Sequence, residues 1–219
     1  MNVLRCDKCS GVFCTRGKVD KDLLPDYCPM KTMEDVIQTA EEKYAHDDVK
    51  SIYVPATLTE KEAYEVVRGR IIPVRPRIRE LVEFAKKIGA KKIGVAFCTG
   101  LSDEASRVAE ALEHFDLTVY SVRCKCGAVD KTRLGVPKEY KIGDSEKFEA
   151  GCNPVVQALL LNAVGTDINV IVGLCIGHDI LFTKHSEAPV TTLIVKDRYT
   201  GHNPVIALYS NYHKESFLK

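Results

Sequence analysis

The chain has 219 residues, 45% of them hydrophobic and 28% charged, with a formal net charge of +1 at pH 7. Such a length and balance suit a globular protein with one ordinary domain plus a small module, and they give no basis for nucleic-acid binding through bulk charge. No apolar run approaches the roughly 18 residues of a membrane span, and the opening MNVLRCDKCSG carries no signal-peptide core, so a cytoplasmic protein that binds neither nucleic acid nor membrane is expected.

Nine cysteines need a reason in such a chain. An odd number cannot pair completely, and no export signal points to an oxidising compartment, so metal or cluster ligation is the expectation. The first four, Cys6, Cys9, Cys14 and Cys28, are spaced C-x2-C-x4-C-x13-C and are followed by Pro29. Gly11 and Gly17 turn this stretch, which is too short to bury a core and needs a staple. Four thiolates suit tetrahedral zinc or an iron–sulfur cluster. Packing as small hydrophobes is the competing interpretation, and the polar company of Asp7, Lys8, Ser10, Arg16 and Lys18 argues against it. Residues 1–32 are therefore expected to form a four-cysteine metal-binding module.

Residues 33–90 read as a helical segment packed on the main domain. Met33–His46 follows Thr32 as cap, with Val36, Ile37, Ala40 and Tyr44 on one face. Thr59–Arg68 is a second expected helix, opened by Thr59–Glu62 as a capping box. Arg77–Ile88 is a third, with a stripe of Ile78, Leu81, Val82, Ala85 and Ile88 ended by Gly89. The basic residues Arg68, Arg70, Arg75, Arg77 and Arg79 read as a solvated face before an anion site, and His46 as solvated.

From Lys91 the pattern alternates between β-rich runs and amphipathic helices. Strands are expected at Ile93–Phe97, Thr118–Val122, Asn169–Gly173 and Val190–Val195. Helices are expected at Ser102–Phe115, Asn153–Val164, His178–His185 and Asn203–Tyr212. Right-handed crossovers then give a parallel sheet covered on both faces, a three-layer, Rossmann-like α/β domain over residues 91–219. Between Gly127 and Gly151 runs a connection longer than the usual span of about 4–6 residues. It carries Lys131, Arg133, Lys138, Lys141 and Lys147, and reads equally as a lid over the cysteines or as a surface excursion.

The remaining cysteines fall where such a sheet presents its ligands, at the carboxyl ends of the strands. Cys98 ends the first strand, Cys124 the second with Cys126 two residues on, and Cys175 the third. Cys152 precedes Asn153-Pro154, which opens a helix with Asn as cap and Pro at its first turn. Adjacent strands lie about 4.8 Å apart, which predicts that Cys98, Cys152, Cys175 and either Cys124 or Cys126 meet at one site. Helix starts at Ser102 and Asn153 favour thiolates there. His178, Asp179, Lys184, Lys196, Asp197, Arg198 and His202 project from the same edge as a polar, mostly basic rim, although each has a cap or surface role available. G-x-G-x-x-G and G-x4-G-K-[ST] loops are absent, and Glu104 stands where a cysteine-phosphatase loop needs arginine. Cys6 and Cys9 do not lie between a strand and a helix, against a thioredoxin-like pair.

The phrases GLCIGHD, VTTLIVKDR and GHNP, with the N-terminal CDKC…C…CP and the later CTG and CKCG, make the chain similar to a prokaryotic family of uncharacterised metal-binding proteins, a domain of unknown function. The resemblance covers nearly the whole chain; it implies metal binding and gives no reaction.

The expected function is a redox protein with one or two iron–sulfur clusters. Cys6, Cys9, Cys14 and Cys28 would hold one centre and pass electrons to a second at the sheet edge, which acts on a small molecule or a protein redox partner. Lys125 and Arg123 beside the second set lower thiolate pKa values and offset cluster charge. The alternative is a zinc-stabilised thiol enzyme for sulfur transfer or dithiol reduction. There Cys98 is the nucleophile, Cys124 or Cys126 resolves its disulfide, and His178 and Asp179 join the catalytic candidates. A metal carrier or sensor without turnover is the third reading, and homo-oligomer formation is left open.

Overall fold

The computed structural model describes residues 4–11, 13–17 and 19–218. Lys18, residues 1–3 of the expected metal module, residue 12 and residue 219 lie outside the described residues. The chain divides into two compact units, Met1–Leu58 and Thr59–Lys219.

The first unit is built from short pieces. Three 3-10 turns (Cys6–Lys8, Phe13–Thr15, Lys21–Leu23) lead to α1 (Pro29–Thr32), α2 (Glu34–Lys43) and most of α3 (Asp47–Glu62). Pro29 at the first position of α1 follows Cys28 directly, where its missing N–H costs nothing. Among the described residues of this unit Leu24 is the one buried apolar side chain, so no hydrophobic core holds it together.

The second unit opens with a hairpin of β1 (Tyr64–Val67) and β2 (Arg70–Pro73), paired antiparallel from Tyr64 with Pro73 to Val67 with Arg70. This corrects the helix expected over Thr59–Arg68. Thr59–Glu62 is the last turn of α3 rather than the first turn of a new helix. Arg68 and Gly69, with φ of 51° and 75°, make a two-residue turn whose positive φ values match the twist of the flanking strands. Val66, Val67, Ile71 and Ile72 supply the β-branched arms.

The α/β body follows: α4 (Arg77–Lys87), β3 (Lys92–Phe97), α5 (Ser102–Glu113), β4 (Thr118–Arg123), α6 (Pro154–Val164), β5 (Ile168–Val172), α7 (His178–His185), β6 (Val190–Ile194), α8 (Val205–Tyr209) and α9 (Asn211–Phe217). The four strands β3 to β6 form one all-parallel sheet in the order β4-β3-β5-β6. The chain steps from β3 out to β4, then returns across β3 to β5 and β6. Right-handed crossovers therefore put α5 on one face and α6 with α7 on the other. The packing agrees: α4 lies with α5, α6 lies with α7, and α5 and α6 both cover β3 and β4. The result is a mixed α/β fold, consistent with three layers.

β3 and β5 are the central strands and read as near-continuous apolar runs, as burial on both faces requires. Ile93, Val95, Ala96, Val170, Ile171 and Val172 are buried there, with Val82 and Ala85 from α4, Leu112 from α5, Leu161 from α6 and Phe182 from α7 around them. Asn169 is a fully buried polar side chain within this core. Asn169 Oδ1 accepts from Thr166 Oγ1 at 2.8 Å, and Asn169 Nδ2 donates to Ser186 Oγ at 2.7 Å. Its side chain lies over Gly94, where a Cβ would come within 2.0 Å of Asn169 Oδ1. At the chain's end the single helix expected over Asn203–Tyr212 is two helices, because Ser210 is extended (φ −82°, ψ 121°) and stands as the cap residue before α9. Among the described residues no helix is long and apolar enough to cross a membrane.

Candidate functional site

The strand order reverses between β3 and β5, which makes the crevice outside their carboxyl ends the topological switch point of the sheet. Cys98 sits there. Its N–H donates to Val172 O at 3.3 Å, tying it to the end of β5, and the turn Thr99–Leu101 then feeds α5. That turn aims amides at sulfur. Gly100 N–H donates to Cys98 Sγ at 3.4 Å, and Thr99 N–H donates to Cys124 Sγ at 3.3 Å. Leu101 packs inward against the start of the β5 exit, where Gly173 has φ +70° and a Cβ would meet Leu101 Cδ2 at 2.4 Å. Glycine is required at that crossing.

Cys124 continues β4, its N–H donating to Phe97 O at 2.9 Å. Cys152 comes from a different direction. Asn153 caps α6 through Val156 N–H, and its own N–H donates to Cys124 O at 2.7 Å, which lays Cys152 beside Cys124. Their thiols interact: a hydrogen bond from Cys152 is the main influence lowering the Cys124 thiol to about 4, helped by the Thr99 amide and hydroxyl and by Cys98 against the opposing effect of burial. The same partner pushes Cys152 up. The two shifts are opposite because each thiol is the other's main partner, and the hydrogen bond favours the thiolate at Cys124.

The connection between these cysteines is neither an open lid nor a loose excursion. Asp130 accepts hydrogen bonds from Thr132 N–H at 2.9 Å, Thr132 Oγ1 at 2.7 Å, Glu149 N–H at 2.8 Å and Lys141 Nζ at 3.2 Å. These donors, the Thr132 and Glu149 amides foremost, hold its carboxyl well below the usual carboxylate range. Glu149 takes Lys131 Nζ at 2.5 Å and the amides of Ile142 and Gly143. Lys125 Nζ closes the neck on Ala150 O at 2.5 Å. Most of the basic residues noted there are thus paired within the loop, and the loop acts as a clasp for Cys124 and Cys152.

Cys175 follows β5, and its carbonyl accepts from the N–H groups of His178 and Asp179 at the start of α7. Arg198 Nη2 donates to Cys175 Sγ at 3.4 Å, and Lys196 Nζ donates to Cys98 Sγ. Both cations come from the loop after β6. Between them Asp197 turns the other way, accepting from Tyr199 N–H at 2.9 Å and Thr200 N–H at 3.2 Å, while His202 N–H donates to Asp197 O at 2.8 Å. Burial pulls the Lys196 ammonium down, but the Cys98 hydrogen bond and the charges of Cys98 and Cys175 outweigh it and raise its pKa. His178 is half-buried at the start of α7. Burial lowers its pKa, opposed by the Cys124 charge and reinforced by Lys125.

Cys98, Cys124 and Cys152 thus interact through Cys124, Cys175 lies within electrostatic reach of Cys152 and Lys196, and His178, Lys125, Lys196 and Arg198 border them. Other expected rim residues point elsewhere. Asp179 accepts from Ile180 N–H, His202 is bound into the Asp197 loop, and Lys184 is exposed in the last turn of α7, at the far end from the sulfurs. Cys126 is half-buried in the turn after β4, and among the described residues no hydrogen bond reaches its sulfur. The basic run is largely committed to structure: Arg75 pairs with Glu62, Arg77 binds Thr191 and Thr192, and Arg79 pairs with Glu83.

Sequence reasoning missed the two sulfur-directed amides and Gln157. Gln157 is fully buried, and its Nε2 donates to Phe97 O at 3.2 Å and Val122 O at 2.6 Å, locking the strand ends that carry Cys98 and Cys124. The available signal was a glutamine one turn into α6, on its otherwise apolar buried face.

In the first unit Cys6 and Cys14 are exposed, while Cys9 and Cys28 are half-buried. Among the described residues no three His, Cys, Asp or Glu side chains are set to hold a metal ion, there or at the sheet edge. The edge sulfurs meet pairwise rather than around one point. Their chemistry, soft thiols met by N–H donors and cations, fits a multi-atom sulfur cluster better than a single hard cation.

Residues 28–193 match the family described as "Protein of unknown function (DUF1847)". The chain is 42% identical over 217 residues to an uncharacterized protein of Methanocaldococcus jannaschii, with 99% of each chain covered. A solved structure, Dph2 from Pyrococcus horikoshii with a 4Fe-4S cluster, is similar at 19% identity and a TM-score of 0.34, over 66% of this chain and 33% of that one.

Proposed function

This chain belongs to the DUF1847 family of proteins of unknown function, and from its own site we propose that it is an iron–sulfur redox protein with a cluster at the carboxyl edge of the sheet. Cys98, Cys124, Cys152 and Cys175 are the ligands. The observation that carries this reading is the position of Cys124, which faces Cys98 and Cys152 and accepts the Thr99 N–H. Three separate chain segments put sulfur there without a carboxylate among them. The Thr99 and Gly100 amides, Lys196 and Arg198 stabilise negative sulfur, which favours thiolate ligands and offsets the charge of a cluster. When bound, the cluster would supply one-electron transfer to a small molecule or a protein partner. His178, whose pKa burial lowers, is the group able to hold or pass a proton beside the sulfurs, with Asp179 next to it committed to Ile180 N–H. The N-terminal Cys6, Cys9, Cys14 and Cys28 form a second centre in this reading, on the strength of their spacing and the coreless unit that carries them.

One observation favours a second reading. The hydrogen-bonded thiols of Cys124 and Cys152, and the Lys196 contact on Cys98, also suit a thiol enzyme with zinc confined to the N-terminal cysteines. Purification without air separates the two. The cluster reading expects a brown protein with a broad band near about 400 nm and comparable iron and acid-labile sulfide. Cys124→Ser should then lose the iron of the edge centre while circular dichroism stays unchanged. Colourless protein containing zinc but no iron would overturn the cluster and leave the thiol enzyme.

A further inference from the structure

We propose that the loop carrying Lys196 and Arg198 is an anion seat, which holds a carboxylate or phosphate group of a small-molecule substrate against the sulfur edge. This deepens the reading above and rests on that edge being the reactive site.

Lys196 and Arg198 both face the sulfur edge, and sulfur is the partner each one has there. Lys196 and Arg198 lie close enough for each to feel the other's charge, yet among the described residues neither is paired with a carboxylate. Asp197, from the same loop, and Asp179, in the first turn of α7, both accept from backbone instead, the first from Tyr199 and Thr200 N–H and the second from Ile180 N–H. Alternation along the loop is what separates the charges: Asp197 faces into its own turn, so the cations on either side of it face out toward sulfur. Two like charges held together in this way need an anion. Each cation makes one contact to sulfur, and its donors are not exhausted. Arg198 is exposed and uses one nitrogen on Cys175, which leaves the rest of its planar fork for a bidentate carboxylate or phosphate. Lys196 has three N–H donors and one contact to Cys98.

The surroundings add to the same sign. In a parallel sheet the helices that follow strands start at the carboxyl edge, so α5, α6 and α7 direct their positive ends to this crevice. His178, half-buried at the first position of α7, adds ring nitrogens able to hydrogen-bond at the same edge. A ligand whose acidic group sits on Arg198 and Lys196 would have its remaining atoms over Cys98 and Cys175, the two sulfurs these cations touch.

The test is calorimetric titration of the full chain, purified without air, with inorganic phosphate and with succinate at ionic strength fixed by sodium chloride. Cluster content is measured on the same sample. Saturable binding of either probe is expected, and whichever binds more tightly tells a phosphate-bearing substrate from a carboxylate one. Lys196→Gln and Arg198→Gln should each weaken it about tenfold or more, with Lys196→Arg recovering most of the loss. Because Arg198 is exposed, its replacement leaves the fold intact, which the melting temperature checks. Heats that never saturate for both probes, or an affinity unchanged in either Gln variant, would overturn the seat. An iron-free wild-type chain would sink the cluster reading alone, since the cations belong to the chain and the titration still decides this proposal.

Discussion

Cys124 shows how much one sulfur's surroundings decide. It lies at the end of the edge strand, but a backbone amide, a hydroxyl and two neighbouring thiols reach it, and they pull its pKa below that of an exposed cysteine. Its place at a strand end is legible in the sequence because apolar β-rich runs stop at cysteine three times. The Thr99 and Gly100 amides are not, since the direction of an N–H depends on a turn geometry that composition does not encode. Gln157 was hidden for a related reason: a buried amide reads as an error in an apolar helix until its two carbonyl partners are in view. Gly94 was equally silent. Its missing side chain makes room for Asn169, so Gly94→Ala should force Asn169 away from Thr166 and Ser186 and cost about 1–3 kcal/mol. Urea unfolding would show this as a lower midpoint with an unchanged slope. Removing the obstruction in a Gly94→Ala, Asn169→Ala double variant should give a loss smaller than the sum of the two single losses.

At the scale of elements, the clasp between Cys124 and Cys152 depends on Asp130. Its folded pKa is depressed, so the stability it brings is present above the unfolded value of about 3.9 and is lost only as pH falls through the lower folded value. Amide exchange in residues 130–150 should therefore stay protected at pH 5. Asp130→Ala should expose those amides at neutral pH and weaken iron retention at the sheet edge, while the exchange of β3 and β5 amides stays slow. Unaltered protection in the variant would show that the loop is held by other means. The strands and helices of the α/β body were readable because their periods are clean. The helix expected over Thr59–Arg68 failed because Thr59–Glu62 satisfies a capping pattern by composition, while Arg68-Gly69 imposes a left-handed turn that no helix admits. The break at Ser210 was missed for the opposite reason, since a cap residue inside an amphipathic run leaves the periodicity intact.

For the whole molecule, the two units pose different problems of stability. The second has a continuous core, whereas the first has a single buried apolar residue among those described, so residues 1–32 need a staple of another kind if they are to hold a shape. Cys9→Ala should accordingly lower metal content and make that stretch sensitive to protease, with the melting of the α/β unit unchanged; equal metal content in wild type and variant would remove the N-terminal centre from the proposal. The contrast is visible in spacing: Cys6 to Cys28 is a local set, while the edge set runs from Cys98 to Cys175 and its cations end at Arg198.

That spread has a consequence for how the protein comes into being. As the polypeptide leaves the ribosome, the sheet edge has no complete set of sulfurs until the third parallel strand is in place, and Cys98 lacks Lys196 until the fourth has joined. In the proposed reading, loading of a cluster would therefore be the final act of maturation, and a truncated or misfolded copy would never become a substrate for it. In such an arrangement the cofactor inspects the fold instead of creating it.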